Sequence, residues 1–145
     1  MFGEVGDEHR APGGFRGEAQ DGLQPEVGQT SRFAKFVPAE QLEGSAGQQY
    51  RQMLSEAAQQ KALGPIDHPQ VVRLRTIADR LIPFTLPWNP RAKLWKWEVN
   101  LIGSPQLNAF CMPGGKIAFY FGILQQLQLS DDEVATIMGH EMAHA

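Results

Sequence analysis

The spacing of apolar residues changes along this chain, and each change marks a different element. In the first helical stretch Leu42, Tyr50, Met53, Leu54 and Ala57 form one stripe. Pro38 suits its first turn, and Gly64-Pro65 stops it. A second helix follows Asp67-His68-Pro69, with Val71, Val72, Leu74, Ile77, Ala78 and Leu81 facing inward and an end near Pro83. Arg73, Arg75 and Arg80 fall on its solvated side. The period then drops to two. Trp95, Trp97, Val99 and Leu101 alternate with Lys96, Glu98 and Asn100, the pattern of a half-buried strand. Residues 107–112 give a second strand, Pro113-Gly114-Gly115 a turn, and residues 116–121 a third strand. Helical spacing returns in Val134, Ile137, Met138 and Met142. Ser130 and Glu133 before them form a capping box, and Asp131, Asp132 and Glu133 complement the helix dipole. The class expected is α+β: helices, a small antiparallel sheet, then a last helix.

Residues 1–32 differ in kind. They are rich in glycine and charge with scattered apolar residues, too few to offset their ordering entropy, so a disordered tail is expected there. Residues 33–145 then form one domain. The tail has no apolar run of signal-peptide type, and no segment approaches the ~20 apolar residues of a membrane span. A net charge of −3 and a pI near 5.8 leave no basic footprint for nucleic acid. One cysteine excludes an internal disulfide framework. Cys111, inside the second strand, reads as a small buried hydrophobe. Trp88, in a proline-flanked loop, reads as core, with the rim of a cleft as the other option.

The chemistry lies in the last helix. His140-Glu141-Met142-Ala143-His144 is H-E-x-x-H. Residues four apart share a helix face, so both imidazoles can reach one Zn²⁺ at ~2.0–2.1 Å per Zn–N bond. Glu141 is one step round the helix, placed to act as a base rather than as a ligand. Gly139, beside the first ligand, means either close backbone packing or simple tolerance. Only four histidines exist. His9 lies in the polar tail and His68 precedes a proline, so both read as solvated residues. A catalytic zinc site has three protein ligands, and the sequence offers two. The third ligand is therefore expected outside this chain, and the chain is expected to be a fragment ending within its domain.

Upstream, Asn108-Ala109-Phe110 leads through Pro113-Gly114-Gly115 and Ile117 to Phe121-Gly122-Ile123-Leu124, then to Ser130, Glu133 and the histidine motif. These blocks together resemble zinc metallopeptidase family forty-eight. That group takes in HtpX, BepA, the mitochondrial Oma-type peptidases and the CAAX prenyl proteases. The form is most similar to its soluble bacterial periplasmic members, which implies a periplasmic or membrane-associated location. The resemblance implies a zincin-like (gluzincin) fold, His140 and His144 as zinc ligands, Glu141 as the catalytic base, and a third ligand, a glutamate, on a later helix. It implies hydrolysis of protein or peptide substrates, in quality control of misfolded envelope proteins. Asn108, Ala109 and Phe110 would form the edge strand to which a peptide adds, although the Asn108 side chain itself reads rather as a strand-end turn residue. Two alternatives stay open: a truncated, non-catalytic pseudo-peptidase that binds unfolded proteins, and a mitochondrial Oma-type stress protease.

Overall fold

A computed structural model describes residues 37–145, so the expected tail and His9 lie outside the described residues. The elements run α1 Ala39–Gln59, α2 Pro69–Thr85, a 3₁₀ turn Pro90–Leu94, β1 Glu98–Ile102, β2 Ala109–Met112, β3 Lys116–Tyr120, α3 Phe121–Leu127 and α4 Asp131–Ala143. The sheet is sandwiched. One face packs on α1 through Tyr50, Met53 and Ala57 against Ala118, Tyr120, Phe110 and Met112. The other face packs on α2 and α4 through Leu74, Ile77, Met138 and Met142 against Val99, Leu101, Ile117 and Phe119. Period-two alternation sends neighbouring strand residues to opposite layers, which is why β2 divides Ala109 and Cys111 from Phe110 and Met112.

The sheet order is β1-β3-β2, with β2 antiparallel and β1 parallel to β3. The expected antiparallel sheet is thus corrected to a mixed one. The turn at Pro113 to Gly115 makes β2 and β3 a hairpin, and β3 inserts between β2 and β1. The connection from β1 must then run past the end of β3 to the far edge. It is pinned on the way, since Gly122 N–H donates to Ser104 O at 2.8 Å and Gln126 Nε2 to Pro105 O at 2.8 Å. Gly122 is required at that crossing, because a Cβ there would lie 2.1 Å from Pro105 O. Gly115, at φ +79°, sits under the Trp97 ring, 2.7 Å from where a Cβ would stand.

Several further expectations are corrected. β1 begins at Glu98, not Trp95. Trp95 Nε1 donates to Glu43 of α1 and Trp97 Nε1 to Ala92 O, so both indoles hold the approach to the sheet. Phe121 starts α3 instead of ending a strand. α2 ends at Thr85, near Pro83 as expected, with that proline inside its last turn. Val72 is half exposed rather than inward, and Trp88 is 53% exposed rather than core. Arg73 and Arg75 are not free surface charges. Arg73 pairs with Asp131 at 2.6 Å and donates to Leu129 O, tying α2 to the start of α4. Arg75 Nε donates to Val99 O at 3.0 Å. Each partner lies 24 or more residues away in sequence, beyond any local pattern.

Candidate metal centre

α4 begins at the expected cap. Ser130 Oγ accepts from Glu133 N–H, and Glu133 Oε1 accepts from Ser130 N–H at 2.7 Å. Val134, Met138 and Met142 repeat every four residues and are buried against the sheet. That stripe fixes the rotation of the helix. Glu141, one residue before Met142, is therefore half-buried against the sheet layer, while His140 and His144 stay exposed. Regular α-helix ends at Ala143, and His144 is the C-cap with helical dihedrals, its N–H donating to Glu141 O. No atom lies within 4 Å of a Cβ built on Gly139, so close packing is not the reason for this glycine among the described residues.

The rings of His140 and His144 stand with centroids 4.5 Å apart at 74°. Burial raises the Glu141 carboxyl above the ordinary carboxylate value, and the two histidines pull it back. Across from it lies Cys111 of β2, half-buried. Burial first, and the Glu141 charge second, push this thiol up to about 12. The proximity of Cys111 and Glu141 was not readable from sequence, since it depends on how α4 lies over β2. The donor set suits zinc as far as it goes: two neutral nitrogen donors side by side and one carboxylate set back from them. Among the described residues no further His, Cys, Asp or Glu joins the two histidines as a third ligand.

Where β2 sits decides which edge can take a peptide. Tyr120 N–H donates to Asn108 O at 3.0 Å, so ladder bonds run from Asn108, and by alternation from Phe110 and Met112, to β3. The N–H and C=O of Ala109 and Cys111 therefore point outward. Asn108 Oδ1 accepts from Ala109 N–H at 2.9 Å. The opposite edge is occupied: Gly64 N–H donates to Leu101 O, Leu63 bridges Ile102, and Arg75 takes Val99 O. β3 is central and presents no edge. Of the expected substrate residues, Ala109 offers outward backbone, Asn108 its side chain, and Phe110 packs its ring edge-on to Tyr120 at 6.5 Å, on the α1 side.

The sequence profile of peptidase family M48 matches residues 70–145. The chain belongs to this family. A mitochondrial metalloendopeptidase OMA1 from Arabidopsis thaliana is 51% identical over 49 residues, 34% of this chain and 10% of that protein. The protein of that name from Schizosaccharomyces pombe is 30% identical over 95 residues, 66% of this chain and 26% of the relative. That from Saccharomyces cerevisiae is 30% identical over 109 residues, 71% and 31% respectively. The chain thus spans between a tenth and a third of the length of these relatives. No solved structure gives a significant match. These relatives are named as mitochondrial, which overturns the expected periplasmic location. Among the described residues no helix is long and apolar enough to cross a membrane.

Proposed function

We propose that this chain carries the metal-binding helix and substrate strand of a zincin-like, zinc-dependent metalloendopeptidase of the mitochondrial Oma type. The observation that carries the reading is the histidine pair, 4.5 Å between ring centroids, beside a half-buried Glu141 on a helix packed over an open sheet edge. His140 and His144 would hold the zinc, with a carboxylate that the family resemblance places on a later helix. Bound there, the metal would polarise a scissile carbonyl and lower the pKa of a water towards ~7. The chain's own residues do the rest. Glu141 accepts the proton of the attacking water and passes it to the leaving amine, and its raised pKa brings it nearer that task. Ala109 and Cys111 bind the substrate main chain in extended form. Asn108 holds the Ala109 N–H until a substrate carbonyl takes its place. In this reading residues 33–145 are one part of a catalytic domain, and the substrates are proteins in unfolded or extended form.

A second reading rests on the outward-pointing backbone of Ala109 and Cys111 on β2. In it the open β2 edge binds unfolded chains without cutting them. Casein cleavage by the full-length protein separates the two. The peptidase reading expects cleavage that stops on chelation and returns with added zinc. Casein binding without cleavage at any zinc concentration assigns the protein to the second reading.

A further inference from the structure

Exposed large apolar side chains gather at the end of α2 and along the loop from there to β1. Phe84 and Leu94 are each 72% exposed and Trp88 is 53% exposed, three large apolar side chains within eleven residues. Turn bonds from Trp88 N–H and Asn89 N–H to Thr85 O fold the stretch back on the end of α2. Pro83, Pro87 and Pro90 stiffen it. From residue 80 to residue 97 the chain has no acidic residue, although its net charge is −3. Of the four cations there, Arg91 is held by Glu43 at 2.7 Å. Arg80, Lys93 and Lys96 are exposed, and their side chains make no ion pair with the described residues.

We propose that the end of α2 and the loop after it dock on an anionic lipid bilayer, with Phe84, Trp88 and Leu94 entering the interface and Arg80, Lys93 and Lys96 facing the headgroups. The argument is charge complementarity joined to shape. A peptide is gripped by pockets or by a sheet edge. Here the apolar side chains project, each half to three-quarters in solvent, and no ladder groups accompany them. A fluid interface accepts projecting side chains, tryptophan settles at headgroup level, and lysine stems extend towards the phosphates. The loop leads into β1 at the end where Glu98 pairs with Lys116, the hairpin end of the sheet, which is also where Cys111 meets Glu141. Docking would hold that end next to the membrane. The proposal is independent of whether the protein cuts peptides.

Vesicle flotation of the full chain tests it, because flotation separates bound protein from aggregates. Phosphatidylcholine vesicles with phosphatidylglycerol should carry the chain up, and pure phosphatidylcholine or high salt should not. Lys93→Glu with Lys96→Glu should weaken binding by about tenfold or more, since each cation near an anionic surface is worth about a factor of five. Trp88→Ser, or Phe84→Ser if the former does not fold by circular dichroism, should weaken it by a similar factor. Val72→Ser, an exposed apolar position on α2, should leave binding unchanged. No flotation with phosphatidylglycerol, equal flotation without it, loop variants that bind like the parent, or an equal loss in Val72→Ser would each overturn the proposal. So would an acidic, leucine-rich peptide that binds through these residues while vesicles do not.

Discussion

His140 and His144 face each other at the end of α4 with ring centroids 4.5 Å apart and planes at 74°. On the proposed function, these two imidazoles are two of the three protein ligands of a zinc site. Residues 1–145 alone are therefore expected to bind zinc weakly and to cleave no casein, and His144→Ala should remove the zinc affinity that remains. Titration with a zinc indicator measures this. Efficient zinc-dependent cleavage by the isolated chain as a monomer would contradict it.

The outward N–H of Ala109 gives a clean test of the substrate edge. Ala109→Pro removes that N–H but no ladder bond to β3, because the ladder runs through Asn108 and its alternate neighbours. In the full-length protein kcat/KM should fall about tenfold, the upper end for one net hydrogen bond. Ala109→Ser should stay close to the parent. A folded proline variant with unchanged kcat/KM would show that β2 does not bind substrate.

Much of this was legible in the sequence, and the limits have physical reasons. The capping box at Ser130 and the α4 stripe are local, so pattern alone placed His140 and Glu141 on one helix, with His144 at its C-cap in the structure. The strands were visible from alternation, but their order was not. β1 and β3 run parallel only because a crossover pinned by Ser104 and Pro105 carries the chain to the far edge, and nothing in strand periodicity records a crossover. Arg75 and Val72 were misjudged for a related reason. A helix wheel gives the faces of an isolated helix, and it cannot say that the edge of β1 needs a guanidinium at Val99 O. Trp88 is large and apolar, which suggests burial, yet the structure leaves it projecting.

The two glycines in α3 and α4 should respond in opposite ways. Gly122→Ala puts a Cβ into the backbone of Pro105 and should cost about 3 kcal/mol or more, at the upper end for overpacking. Gly139→Ala meets open space and should stabilise by up to about 1 kcal/mol through helix propensity. Urea midpoints report both. Equal effects would mean that the crossover at Gly122 is looser than described.

Alkaline pH should weaken the fold. Burial pushes the Cys111 thiol from an ordinary 9.0 up to about 12 and raises Tyr50 as well. The Tyr50 hydroxyl donates to Ile117 O and accepts from Asn100 Nδ2 at 3.0 Å. Both groups hold their protons more tightly folded than unfolded. Their contribution is intact below pH 9 and declines as pH rises from there through about 12. Alkylation of Cys111 at pH 8 should be slow in the folded protein and fast in urea. Rapid alkylation of the folded protein would contradict the burial of the thiol.

The most direct test of the central claim is Glu141→Gln in the full-length protein, with zinc content and casein cleavage measured on the same sample. Glu141 is set back from the histidine face and assigned to proton transfer, so the variant should keep its zinc and lose about 10²–10⁴-fold in cleavage rate. Loss of zinc together with activity would make Glu141 a ligand or a structural residue. Retained cleavage would remove it from the chemistry altogether.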